Sequence, residues 1–262
     1  MEMSQRRADG SAGDADYGAI GGVYTDYRKP DPRIGQYIVD ALGDARTVLN
    51  VGAGAGAYEP EDREVTAVEP SASMRAQRPA GLPPAVDAVA EKLPFPDRAF
   101  EGAMSTFSVH QWSDRWAGLK EMRRVTRGPV AVLTCDPDLL RRFWLLDYAP
   151  EVIETEARRY PSVDDIADGL GGHTSVVGVP IPIDCTDGFN EAYYARPERL
   201  LDPGARLSCS AWSFVDDRVH HRFAAELQHD LDDGTWERRY GKLREQPTFE
   251  GSLVLVVSDP TA

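Results

Sequence analysis

Apolar residues are spaced in two ways along this chain. Over residues 31–43, "DPRIGQYIVDALG", Ile34, Tyr37, Ile38 and Leu42 recur at helical spacing and share one face. Asp31 is placed to cap that helix, Pro32 suits its first position and Gly43 its end. Short apolar runs follow that predict strands at 47–51 (TVLNV), 64–69 (EVTAVE), 85–90 (AVDAVA), 100–106 (FEGAMST) and 129–135 (PVAVLTC). A helix over 114–128, capped by Asp114 and ended by Gly128, leads into the last of them. Alternation of this kind predicts an α/β, doubly wound, mostly parallel sheet of Rossmann-like type.

The pattern changes after residue 136. Residues 137–170 and 187–243 are mostly of helical period and rich in Trp and Tyr. Between and after them, "SVVGVPIPIDC" (175–185) and "GSLVLVVSD" (251–259) read as strands. They add a pair at the sheet edge and bring the expected count to seven strands, with the helical segments forming a cap over the strand ends. Pro180 and Pro182 mark an edge or irregular strand. The expected organisation is a flexible polar tail over 1–16 and one domain over 17–262, its cap segments at about 137–170 and 187–243.

Composition narrows the partners. The formal net charge is −14, and a nucleic-acid binder needs a clustered basic face. The densest basic stretch, "EMRRVTR", reads as one solvated helix face. A small-molecule substrate is therefore expected, and no nucleic acid. The longest apolar run, "LVLVV", is far short of the ~20 residues of a membrane span. The N-terminus lacks the apolar core of a signal peptide, so the expected location is cytoplasmic, as a monomer or homodimer. Cys135, Cys185 and Cys209 have neither metal-ligand nor iron–sulfur spacing. His220 and His221 are adjacent and point apart on a helix, and "DLDDG" lacks the register of a calcium loop. No metal is expected.

Gly52, Gly54 and Gly56 follow the first strand in "VLNVGAGAGAYEP". In an open α/β sheet the ligand sits beyond the carboxyl ends of the strands. Glycine there lets a ligand approach the backbone and tolerates positive φ. A dinucleotide also needs a helix whose N-terminus faces the pyrophosphate. Only "AYEPEDR" separates Gly56 from the second strand, and it carries Pro60, Glu59, Glu61 and Asp62. No helix fits, and the acids would repel a diphosphate, so the loop favours a nucleoside. Glu69, ending the second strand, lies where a carboxylate accepts from both ribose hydroxyls. An acid followed by Leu-Pro-Phe in "AVAEKLPFPDRAFE" suits an adenine amino group and its ring.

The set "NVGAGAG…AVEPS…AVAEKLPFPDRAFEGAMSTFSVHQWSD…LKEMRRV" resembles the class I S-adenosylmethionine-dependent methyltransferases over about residues 20–135, most closely the branch of the ubiquinone, menaquinone and biotin pathways. The resemblance implies the cofactor S-adenosylmethionine. It places Gly52, Gly54 and Gly56 under its methionine part and ribose, Glu69 on the ribose, Pro70 and Met74 against the adenine, and Ala90 and Glu91 at the adenine edge. Thr106 and Phe107 fall on the loop near the methionyl amine. Upstream, "YTDYRKPDPRI" resembles the N-terminal lid of this branch, with Tyr24 and Arg28 as candidates for the methionine carboxylate. Asn50 departs from the family, which opens this loop with an acid.

Methyl transfer from a sulfonium is an in-line displacement, in which the protein aligns the partners and excludes water. A base is needed only where the acceptor must lose a proton early. His110, in "SVHQW" after the fourth strand, is the candidate base; its plainer role is a histidine hydrogen-bonded at the cofactor rim. Trp112 reads as packing or as a substrate contact. Trp144 and Tyr148, four apart on one helix face, are candidates to wall an apolar or aromatic acceptor, or else core. Asp147 reads first as a helix-surface carboxylate. Tyr17 and Asp187 complete the candidate substrate contacts, Asp187 beside Gly188 reading also as a turn. The expected activity is methylation of an O, N or C atom of a small apolar or aromatic metabolite, of secondary-metabolism type. The alternatives are an NAD(P)-dependent oxidoreductase and a non-catalytic S-adenosylmethionine-binding module.

Overall fold

The computed structural model describes residues 26–260. Strand β1 (Thr47–Val51) lies between β2 (Glu64–Val68) and β3 (Gly102–Thr106), parallel to both. β3 continues to β4 (Val130–Cys135), also parallel. The sheet is completed by β8 (Leu253–Asp259) and, at its far edge, β5 (His173–Gly178), giving the order β2-β1-β3-β4-β8-β5. β8 is antiparallel to both its neighbours, so five strands run one way and it alone runs the other. A separate ribbon pairs β6 (Ile181–Pro182) with β7 (Thr248–Phe249).

Alternation along each strand divides the core in two. On one face Val48, Met104, Leu133 and Leu255 pack with helix α1 (Pro32–Leu42) through Ile34, Ile38 and Leu42. On the other, Leu49, Val51, Ala103 and Val132 pack with α3 (Arg115–Val125) through Leu119 and Met122. Each helix starts at its expected cap. The Asp31 side chain accepts from Arg33 N, and Asp114 from Ala117 N at 3.0 Å. Gly43 ends α1 at φ 54°. Helix α3 stops earlier than expected, at Thr126, whose hydroxyl donates to the Met122 carbonyl at 2.7 Å. Gly128 instead serves the close pass of the backbone beside the Glu101 carbonyl.

The expected strand at 85–90 is not formed, so the described residues build a sheet of six strands rather than seven. Only Val86 joins the ladder, donating to Ala67 O and accepting from Glu69 N. Pro83 and Pro84 before it have no N–H to give. Ala88 then turns back onto the Val86 carbonyl. A short helix, α2 (Ala72–Ala76), starts at Ser71, which accepts from Met74 N.

The segment 137–170 forms α4 (Pro137–Leu140), α5 (Leu145–Tyr148), α6 (Pro150–Arg159) and α7 (Val163–Leu170). The last was expected in the cap. It instead packs on the sheet beside α3, where Gly169 lets it approach Leu119. The segment 187–243 holds α8 (Pro203–Leu207), α9 (Asp217–Asp232) and α10 (Thr235–Tyr240), with 3-10 turns between them. Its aromatic residues bury one another: Trp212 and Phe223 are 4.9 Å apart, and Trp144 and Trp236 are 5.9 Å apart. This cap core joins the α1 face of the sheet. No helix among the described residues is long and apolar enough to cross a membrane.

Candidate active site at the strand ends

The carboxyl ends of β1, β2 and β3 open on one cavity of about 380 Å3. Its floor is the glycine loop. Gly52, Gly54 and Gly56 have φ of 69°, 52° and 97°, a region that costs an L-residue energy. A Cβ on Gly52 would collide with Ser108, and one on Gly54 would stand 3.3 Å from Met74 Cε. The loop is laid over the end of β2, because Gly52 N and Ala53 N both donate to the Val68 carbonyl at 2.9 Å. Residues 53–63 then form turns, and no helix N-terminus faces the cavity there.

Glu69 is buried at the loop's side. Its carboxylate accepts from Gly54 N and Ser71 N, both at 2.8 Å, and lines the cavity. These donors fix its rotamer before any ligand arrives. One of the acids that follow the loop does not act as expected. Glu59 is buried and paired with Arg78 by two bonds of 2.9 Å, so its charge is balanced. The missing helix, rather than repulsion from Glu59, is what disfavours a dinucleotide. The same pair accounts for Asn50. Its amide nitrogen donates to Glu59 at 3.0 Å, where an acid would set two buried carboxylates against each other. The Asn50 amide oxygen has no hydrogen-bond partner among the described residues.

The opposite wall comes from the chain after β3. Phe107 sits at φ 49°, and Tyr58, across the cavity, at φ 63°; backbone strain of this kind gathers where the surroundings hold a site in shape. Trp112 packs on Gly118 and Ala90 and donates from its indole to Ser108 Oγ at 3.0 Å. Glu91 accepts from Ser113 Oγ and Asp114 N with one oxygen, which ties it to the start of α3.

One end is closed by a polar cluster. Arg28 Nε lies 2.5 Å from Asp187 Oδ1, and the Tyr58 hydroxyl donates to Asp187 Oδ2 at 2.8 Å. Burial, then the Asp187 carboxylate, pushes the Tyr58 hydroxyl far above its ordinary value. The Arg28 guanidinium stands over the Phe107 ring at 5.0 Å, and Phe107 leans on Phe189 at 5.4 Å. Gly188 N donates to the Tyr27 carbonyl at 2.9 Å, which pins the segment entering α1 to the cap.

Arg28, Gly52, Gly54, Gly56, Glu69, Pro70, Met74, Ala90, Glu91, Thr106 and Phe107 all line this cavity, together with Trp112 and Asp187. Three candidates do not. His110 is buried with its ring 4.3 Å from that of Tyr160, because the 3-10 turn Val109–Gln111 faces it inward. Trp144 and Tyr148 lie in the cap core, where the indole donates to the Tyr194 carbonyl and the phenol to Asp230. Asp147 is on the surface with Arg239 and Tyr240 as partners. Tyr17 and Tyr24 lie outside the described residues, as does the tail 1–16.

Sequence reasoning missed Tyr58, Ser108 and Gln111 on the cavity wall. It also missed a buried acidic layer beneath the cap. Glu191 accepts from Ser252 N at 3.0 Å and from the Ser252 hydroxyl, and Glu156 accepts from Asn190 at 2.7 Å. Their flanking apolar residues, in "EVIETEA" and "FNEAYY", were the one available signal.

Residues 49–133 match the family model of a methyltransferase domain. A candidate methyltransferase from an antibiotic biosynthesis pathway of Anabaena variabilis has a similar structure, at TM-score 0.82 and 28% identity, covering 88% of this chain and 98% of that one. Two further structures share the fold at lower identity. A possible histamine N-methyltransferase of Thermotoga maritima has TM-score 0.53 and 17% identity over 94% of this chain and 95% of its own. The [4+2]-cyclase SpnF has TM-score 0.54 and 15% identity over 94% and 93%. No curated protein matches the sequence. A glycine loop and an oriented acid around one cavity, the methyltransferase-domain match over residues 49–133 and these likenesses together support a class I S-adenosylmethionine-dependent methyltransferase.

Proposed function

We propose that the cavity holds S-adenosylmethionine and that the chain methylates an O, N or C atom of a small apolar or aromatic metabolite, in secondary metabolism. The observation that carries this reading is the convergence of eleven expected cofactor residues on one cavity of about 380 Å3. When bound, the cofactor supplies a methyl carbon already activated by its sulfonium. The bare Gly54 keeps the floor open for the sugar, since a Cβ there would face Met74. Glu69, held by Gly54 N and Ser71 N, takes the ribose hydroxyls. Pro70, Met74, Ala90 and Glu91 take the adenine. Arg28 takes the methionine carboxylate, sharing its charge with Asp187. Phe107, backed by Phe189, excludes water on the acceptor side. His110 is not proposed as the base, because Tyr160 covers it and the cavity does not reach it. The antibiotic-pathway assignment of the Anabaena neighbour supports secondary metabolism.

Calorimetry with S-adenosylhomocysteine, NADH and NADPH tests the cofactor. Micromolar binding of the first alone is expected, with Glu69→Ala weakening it by at least about tenfold, the loss of roughly one charge-assisted hydrogen bond. Binding of either nicotinamide in its place would overturn the reading. Incubation with deuteromethyl-labelled cofactor and a panel of aromatic and apolar metabolites should yield a labelled product by mass spectrometry. Tight cofactor binding with no product from any acceptor would favour the non-catalytic alternative.

A further inference from the structure

A second pocket, of about 230 Å3, opens on the outer side of the cap, and none of its lining residues belongs to the cofactor cavity. Its inner wall is aromatic: Phe143, Trp144, Tyr240 and Phe249. Phe143 and Phe249 have ring centroids 6.1 Å apart, and Trp144 and Tyr240 6.4 Å, so the rings pack into one continuous apolar wall. Its rim is basic. Arg142 and Lys242 are exposed, line the pocket and have no ion-pair partner among the described residues. A third cation, Arg239, also lines it and is held from behind by Asp147. In a chain of net charge −14, two unpaired cations on the rim, with Asp147 engaged by Arg239 and Tyr240, run against the general field.

The two halves ask for different things of a ligand. The rings bury a planar apolar body, and the unpaired cations attract an anionic group at the mouth. A cavity of about 150 Å3 holds benzene, so this one suits about two fused rings. We propose that the pocket is a binding site, separate from the active site, for a small planar aryl carboxylate. Its ring would lie against the outer edge of Trp144, whose indole N–H anchors the cap through the Tyr194 carbonyl at 3.0 Å.

The test uses 2-naphthoate as the probe and the full-length protein with 15N-labelled tryptophan. The indole resonance of Trp144 is assigned by Trp144→Phe. A saturable shift of that resonance is expected, with a Kd of about 1 mM or tighter for a ligand of this size. It should persist with S-adenosylhomocysteine at saturation. Neutral 2-naphthamide and the doubly reversed Arg142→Glu/Lys242→Glu variant should each bind about two- to fivefold more weakly, since each forfeits the charge contribution. The amide comparison needs no variant and stands even if the reversal disturbs folding. Absence of any shift, equal binding of naphthoate and naphthamide, or loss of the signal when the cofactor cavity is filled would each overturn the proposal.

Discussion

Single residues in this chain are held by partners that can be removed one at a time. Arg78 and Glu59 are both buried, with side chains 4% and 2% exposed. Arg78→Ala leaves Glu59 charged, desolvated and beside Asn50, so a loss of about 3–5 kcal/mol in urea unfolding is expected. Arg78→Ala with Glu59→Gln should recover much of it, and a double variant no more stable than the single would refute the pairing argument. Glu191 behaves differently, since its partners are neutral. Burial pushes its carboxyl up from 4.5 to about 7, with Glu156 adding to the rise and the Ser252 donors opposing it. The folded state therefore prefers the protonated form. Its full benefit is present below about pH 4.5 and is lost as pH rises through 7, a change of about 3 kcal/mol. Glu191→Gln has no proton to lose. Relative to it, the wild type should lose stability between pH 4.5 and 7.5, and a pH-independent difference in denaturation midpoint would contradict this.

Among the elements, helix α1 shows how local chemistry and the site are joined. Asp31 caps it through Arg33 N and also accepts from Thr186 N at 3.2 Å, across to the cap. Asp31→Ala should cost about 1–3 kcal/mol, more than a surface cap alone. It should also weaken S-adenosylhomocysteine binding in calorimetry, because Arg28 lies three residues upstream; unchanged affinity would separate the helix from the site. The helix itself was legible in the sequence, since cap, proline, apolar stripe and glycine agree. So were β1 to β4 and the glycine loop, which rest on short-range rules. Legibility failed where distant contacts decide. Residues 85–90 alternate like a strand, yet they bond only through Val86, because two prolines and an early turn remove the remaining donors. Helix α7 has a cap-like position in sequence, but Gly169 lets it dock on Leu119. His110 sits at the expected sequence position, and a 3-10 turn faces it away from the cavity.

At the scale of the whole molecule, the cavity at the strand ends depends on two parts of the chain that are distant in sequence. Arg28 and Asp187 form a ladder bridge as well as an ion pair, and Tyr27 and Gly188 bond beside them. Asp187→Ala removes the shared partner of Arg28 and Tyr58. The Gly188 amide should then exchange with deuterium markedly faster while amides in β4 stay protected, since a local opening needs less free energy than global unfolding. Equal acceleration at both positions would mean that Asp187 supports the whole fold rather than this closure.

Among the described residues, strand β5 finds its ladder neighbour only in β8, and β8 itself is wedged against β4. A ribosome makes β5 well before β8. In that interval the uncharged stretch holding Val176 and Val177 emerges with both its edges bare, a form prone to self-association. The nascent chain thus keeps this stretch uncovered until a much later segment arrives to pair with it.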